Sequence, residues 1–272
     1  MAGLSEAQVA QFRDQGYLTG IDLFNADEVA DLNDGLDRLC ALLNPGESTK
    51  EIREWHETSR WLYDYCMDKR ILDCIENLLG DYYLWASNYF IKEPLTTETV
   101  AWHQDSYYWP LKPIKSATVW IACTDSDEDN GAMQVIPGSH KAGLLKHTRM
   151  AETATDSVLH LECETGQFSE ADAESLIIKA GQISIHDDKI VHGSPANTSA
   201  RRRVALTARY SPTDVKCDIT VNPHFKTYMC RGADTYQHNP VGTIPTEAFG
   251  RLDRAHLSVE EAGEEAETHL TR

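Results

Sequence analysis

Up to about residue 80 the apolar positions recur at helical steps; from 82 to 210 they alternate or bunch into short runs bounded by turn residues. Ser5 and Gln8 have the spacing of a capping box at the head of a first helix, with Val9 and Phe12 on one face. Gly16 breaks that helix, and Tyr17-Leu18 begins something short and extended. Asn25 and Glu28 repeat the capping signal. Val29, Leu32, Leu36, Leu39 and Leu43 then form the apolar stripe of a second helix, ended by Asn44-Pro45-Gly46. Residues 45–60 are polar and read as a loop, with room to lie over a site. Ile71, Leu72, Ile75 and Leu78 predict a third helix from Lys69 to Leu79, stopped by Gly80.

Beyond it the pattern is that of strands. Tyr82 to Lys92, Val100 to His103, Ala117 to Cys123, Ala132 to Ile136, Ile183 to Ile185, Ile190-Val191 and Arg203 to Tyr210 are short runs separated by Gly, Pro and acidic turns. That succession predicts a sandwich or jelly roll. Residues 141–181 read as a polar insertion, and 250–272 as a polar tail, all within one domain spanning 1–272.

Composition narrows the partners. The formal net charge is −18, which disfavours nucleic acid and anionic membranes. No apolar stretch is long enough to span a bilayer, and the start lacks a signal-peptide pattern. The 7 cysteines are odd in number and scattered without a CxxC pair, which fits a reduced cytoplasmic protein better than a disulfide framework. A small-molecule substrate is the partner expected; no obligate protein partner is inferred.

The chemistry sits in two segments, Trp102-His103-Gln104-Asp105 and Val191-His192-Gly193-Ser194. On a strand, residues two apart share a face, so His103 and Asp105 are able to hold one ion together. With His192 they make two histidines and a carboxylate, the facial set that leaves positions open on Fe(II). His186-Asp187-Asp188 is a second His-x-Asp, so the motif alone does not choose. His186 lies only six residues before His192, and a structural or supporting role is expected for it; His103 lies far enough away to face His192 across a barrel.

The surroundings of His103 are more specific. Trp102-His103-Gln104-Asp105-Ser106-Tyr107-Tyr108-Trp109-Pro110 resembles the iron-binding segment of the phytanoyl-CoA dioxygenase family. Asn130-Gly131 through Pro137-Gly138-Ser139-His140 is similar to a second family segment, and His192-Gly193-Ser194 with Asn197 and Arg203 to a third. The opening helix with Gln15-Gly16-Tyr17-Leu18 fits the family's usual start. The resemblance implies a double-stranded β-helix, a cupin-like jelly roll with flanking helices. It also implies Fe(II), with 2-oxoglutarate and O2 as co-substrates. It assigns the metal to His103, Asp105 and His192, and the distal carboxylate of 2-oxoglutarate to Arg203 with Ser194. Gln104 and Trp120 match positions near the co-substrate. If Arg203 faces inward at a strand start, Ala205 and Thr207 share its face. Halogenating relatives replace the metal-binding carboxylate by a small residue; Asp105 is retained here, so hydroxylation is expected.

The substrate is less legible. Tyr107, Tyr108 and Trp109 follow the ligands, and Trp85, Asn88, Phe90 and Lys92 precede them; such aromatic residues either cage a methylated ammonium or fill a core. Lys112, Lys115 and Arg201 are candidates to meet an anionic group. A small zwitterion satisfies both features, and within the family the hydroxylases of 2-aminoethylphosphonate and its N-trimethyl analogue have this style. Other small metabolites, an acyl-CoA, and a non-catalytic or zinc-binding cupin-like protein are the alternatives left open.

Overall fold

A computed structural model describes residues 3–150, 159 and 161–253. In chain order the elements are α1 (Glu6–Gln15), β1 (Tyr17–Asp22), α2 (Ala26–Cys40), α3 (Arg60–Cys66), α4 (Lys69–Leu79), β2 (Tyr82–Lys92), β3 (Val100–His103), β4 (Leu111–Lys112), β5 (Ala117–Ala122) and β6 (Gln134–Val135). They continue with β7 (His147–Arg149), β8 (Leu161–Cys163), β9 (Glu174–Ser175), β10 (Gln182–Asp187), β11 (His192–Ser194), β12 (Arg203–Pro212), β13 (Lys216–Cys217) and β14 (Tyr228–Arg231).

Both capping boxes form. Ser5 Oγ accepts from Gln8 N while Gln8 returns to the Ser5 backbone; Asn25 and Glu28 do the same at α2. Helix α2 ends at Cys40, not at Asn44-Pro45-Gly46, because the N–H groups of Leu42 and Leu43 turn back to Leu39 and Cys40 in tighter i−3 bonds. Helix α3, between the polar stretch and α4, was not expected: it has two turns, too few for a period to show. Its Ser59 cap and buried Leu62, Tyr63 and Cys66 define it.

The strands form a 6-stranded sheet, order β1-β10-β5-β12-β2-β14, and a 4-stranded sheet, order β3-β11-β6-β9. This is the double-stranded β-helix jelly roll. Strict alternation splits the large sheet. Val119, Ile121, Ile183, Ile185, Val204, Leu206 and Ala208 face the helices and share one core with Leu32, Leu36, Leu39, Ile71 and Ile75. The alternate residues, Thr118, Trp120, His186, Arg203, Thr207 and Arg209, face a cavity.

The strand region reaches beyond 82–210: β1 and β14 are the two edges of the large sheet. The 141–181 insertion is also not wholly outside, since β9 pairs with β6. Of the 250–272 tail, residues 250–253 are docked; Arg251 pairs with Glu47 and Gly250 O accepts from Thr58 Oγ1. The rest of that segment lies outside the described residues. No described helix is long and apolar enough to cross a membrane, and all seven cysteines are free thiols.

Candidate metal and co-substrate site

Strands β3 and β11 pair antiparallel with His103 opposite His192, and their ring centroids are 4.1 Å apart. In each ring Nδ1 faces a backbone carbonyl two residues back, Ala101 O at 2.8 Å and Ile190 O at 3.1 Å. When those nitrogens donate, each Nε2 presents a lone pair to the same side, the arrangement expected of metal-binding histidines. One ligand atom each from His103, Asp105 and His192 lies within 4.8 Å of the others. The donor set therefore fits a divalent iron with open positions.

Asp105 reaches that spot by a different route from the one its spacing suggested. Strand β3 stops at His103, and Asp105 opens a 3-10 turn through Tyr107. The turn, fastened by Ser106 N donating to Asp188 O at 2.9 Å, swings the carboxylate round. Its Oδ1 lies 3.5 Å from His103 Nε2 and 4.0 Å from His192 Nε2. Burial alone would raise the Asp105 carboxyl; the facing His103, His186, His192 and Arg209 hold it well below its ordinary range. Burial, aided by His103, pushes His192 well below a free histidine. Gly193 separates His192 from Ser194 because a Cβ there would stand 2.8 Å from Val100 O.

The cavity behind these residues measures about 650 Å³. At one end sits Arg203, 4% exposed, its Nη1 donating to Gly131 O at 2.6 Å and its guanidinium 5.6 Å from the Trp120 ring. Its Nε has no hydrogen-bond partner among the described residues. Burial brings it down to about 10. Gly131 bends its carbonyl to Arg203 at φ +77, where a Cβ would meet Pro195 O at 2.6 Å. Ser194 lines the same end. Lys92, opposite Arg203 in the β2–β12 register, is also there, giving its Nζ to the carbonyls of Glu98, Ser194 and Pro195. Burial and the neighbouring Arg203 lower it to about 7.

The other segments of the resemblance hold this frame. Ser139 Oγ accepts from Val191 N, one residue before His192. Asn130 closes the turn before Gly131, and Asn197 ties the β11–β12 connection to Lys92 O, Glu93 O and Arg201 O.

Five expected site residues are placed elsewhere. Gln104 is fully buried away from the cavity, donating to Gly143 O and Lys189 O and accepting from Leu145 N. Its backbone is still extended as it caps the 3-10 turn, so with His103 facing inward its side chain faces out. Tyr107 stacks on His147 at 3.9 Å rather than on the cavity. Arg201 is exposed and paired through both terminal nitrogens with Asp127, and Lys112 is exposed on β4. Lys115 likewise pairs with Asp214. Asn88, Tyr108, Trp85, Trp109, Phe90 and Lys92 do line the cavity.

Two residues were missed. Arg209 continues the face of Arg203, Ala205 and Thr207 by one more step, so extending the alternation finds it. It is 8% exposed, donates to Asn88 Oδ1 at 2.6 Å, and lies over Trp109 at 5.0 Å. His186, set aside as supporting, is 2% exposed with neither ring nitrogen hydrogen-bonded, and it lines the cavity 3.8 Å from Asp105 Oδ2.

Comparison with known proteins agrees with this picture. Residues 12–205 match the family model described as Phytanoyl-CoA dioxygenase (PhyH). A Stutzerimonas stutzeri protein described as "Probable alpha-ketoglutarate-dependent hypophosphite dioxygenase" is 26% identical over 239 residues, 76% of this chain and 78% of the relative. An ectoine dioxygenase from Sphingopyxis alaskensis is 28% identical over 224 residues, 72% of each. Among solved structures, the apo non-heme monooxygenase ThoJ superposes with TM-score 0.75 at 24% identity, covering 97% of this chain and 98% of that one. CytC3 with Fe(II) and alpha-ketoglutarate gives TM-score 0.66 at 21% identity, covering 90% and 98%. These two bear on the fold.

Proposed function

The chain belongs to the phytanoyl-CoA dioxygenase family of Fe(II)- and 2-oxoglutarate-dependent dioxygenases, and from that premise we propose that it hydroxylates an unactivated C–H bond of a small zwitterion of the 2-aminoethylphosphonate or N-trimethyl-aminoethylphosphonate kind. The observation that carries the reading is the convergence of His103, Asp105 and His192 on a cavity that is also lined by the buried Arg203. Bound iron supplies the oxidative decarboxylation of 2-oxoglutarate to succinate and carbon dioxide, coupled to oxygen insertion into the substrate.

The chain's own residues do the rest. His103, Asp105 and His192 would hold the metal, whose remaining positions would be available to co-substrates. Arg203 offers a fork to the distal carboxylate of 2-oxoglutarate, set against Trp120 and assisted by Ser194. The apolar walls, Trp85, Trp109, Phe90 and Tyr108, exclude water and orient the substrate beside the metal. Retention of Asp105 favours hydroxylation. Hypophosphite, named for the Stutzerimonas relative, is itself a phosphorus oxyanion, which favours the phosphonate side of the proposal. A cytoplasmic setting fits the seven free thiols.

The test is anaerobic loading with Fe(II), addition of 2-oxoglutarate with each of a panel of aminophosphonates, methylated amines and acyl-CoAs, then air. Succinate formation coupled to one aminophosphonate, abolished by His103→Ala, is the expected result. Coupling to an acyl-CoA instead overturns the substrate. No iron-dependent turnover with any of the panel overturns the hydroxylase reading in favour of a binding or zinc protein.

A further inference from the structure

The cavity has a second cationic end that the co-substrate does not use. Arg53 and Glu54 extend the free margin of β2: Arg53 bridges to Asn88, and Glu54 N donates to Ser87 O at 2.6 Å. Arg53 Nε is fixed by Lys50 O at 2.8 Å. Arg209 reaches the same asparagine from β12, its Nη1 on Asn88 Oδ1. Asn88 thus meets Arg53 through its backbone and Arg209 through its side chain; both arginines line the cavity, and Arg209 lies in the field of Arg53. Arg209 is clamped between Trp109 and Phe90 at 5.0 and 6.0 Å, and its buried Nε has no hydrogen-bond partner.

Two guanidinium groups lining one cavity under apolar walls lose hydration, which Glu51 offsets for Arg53 only, so an added anion there is favoured. Asp105 does not fill that place. Its Oδ1 faces His103 and His192, and its Oδ2 stays 4.0 Å from Arg209 Nε. Exposed Lys50 and Glu98 already pair at 2.6 Å.

We infer that Arg53 and Arg209 form an oxyanion subsite that binds a dianionic phosphonate or phosphate group of the substrate, at the end of the cavity opposite Arg203. This deepens the function proposed above and rests on it. Two guanidinium forks match the charge and the several acceptor oxygens of such a group. Asn88 sets the spacing between them. The reacting carbon then lies near the metal because Arg209 itself borders Asp105.

Methylphosphonate is the probe. It is titrated, without oxygen, into protein loaded with Fe(II) and saturated with 2-oxoglutarate, and binding is followed by calorimetry. Saturable binding is expected, weakened about tenfold or more in both Arg53→Gln and Arg209→Gln. It should be unchanged in Arg201→Gln, whose guanidinium pairs with Asp127 outside the cavity. Arg53→Gln is the decisive variant, since Arg209→Gln also disturbs the neighbourhood of Asp105; the Fe(II) affinity of each variant is measured alongside. Absence of binding to the wild-type protein (competition by 2-oxoglutarate at Arg203 included) or binding that survives in Arg53→Gln overturns the subsite. Wild-type protein that turns over 2-oxoglutarate with iron yet ignores methylphosphonate defeats the subsite alone. Protein that makes no succinate with any substrate defeats the hydroxylase reading, whatever methylphosphonate does.

Discussion

Asp105 Oδ2 stands 3.8 Å from His186 Nε2 while its Oδ1 stands 3.5 Å from His103 Nε2, so the carboxylate is shared between two histidines of different purpose. One belongs to the metal-binding strand pair; the other comes from β10 in the opposite sheet. His186 has no hydrogen bond that folding depends on. Replacing it with Leu removes two buried polar atoms without partners, so the melting temperature should hold or rise. Turnover should fall several-fold, because His186 borders both Asp105 and the substrate space. Thermal melts beside succinate assays decide it; a fall in stability with intact turnover would make His186 a packing residue.

Gln104 makes the opposite expectation. Its side chain satisfies Gly143 O, Lys189 O and Leu145 N, three backbone groups of loops around the metal strands. Gln104→Leu leaves them buried and unpaired, at about 2–5 kcal/mol. Denaturant titration should show that loss, with the KM for 2-oxoglutarate little changed. A KM effect with full stability would return Gln104 to the co-substrate.

What was readable in the sequence, and what was not, divides along a physical line. Helix caps and amphipathic stripes are local, and α1, α2 and α4 were visible for that reason. The candidate metal ligands were visible because their flanking residues are distinctive: Gly131, Gly193 and Ser139 hold backbone around the site. Side-chain direction past a turn was not: Tyr107 stacks on His147, and Asp105 joins the two histidines from a 3-10 turn and not along the strand. Charged residues near the motifs, Lys112 and Arg201, looked available because their ion partners or solvent exposure are decided by the fold. Arg53 came from a polar loop with no period, and only its pairing to β2 brings it inward.

His56 makes the fold sensitive to acid. It is fully buried beneath β2, with Nδ1 at 2.8 Å from Ser87 Oγ and Nε2 unpartnered. Burial, with Lys226 nearby, lowers it to about 3. An unfolded histidine titrates near pH 6.5. Above that pH neither state takes the proton and the contribution is complete. As pH falls from about 6.5 towards 3 the unfolded chain gains a proton the folded one refuses, so stability drops. Between pH 7 and pH 4 the loss from this one group is about 3 kcal/mol. Unfolding free energies of wild type and His56→Phe, measured across that range, should converge or cross as pH falls. Parallel curves would mean His56 is protonated in the fold.

Arg203 offers the sharpest separation between binding and metal retention. Its guanidinium is held by Gly131 O and the Trp120 face, and its remaining donors face the cavity end lined by Ser194 and Lys92. A charge-assisted pair lost there is worth roughly 1.5–3 kcal/mol, a factor of about ten to a hundred or more. Arg203→Gln should therefore raise the KM for 2-oxoglutarate by at least about tenfold while Fe(II) affinity stays near wild type, since the ligand strands are untouched. Arg203→Lys should not rescue it, because a point ammonium offers no fork and stacks poorly on Trp120. Lys92 does not stand in for the fork, because its Nζ is taken up by the carbonyls of Glu98, Ser194 and Pro195. If charge alone sufficed, the Arg203→Lys variant would bind 2-oxoglutarate normally. That outcome would show that the fork is dispensable and that the cavity end reads charge, not shape.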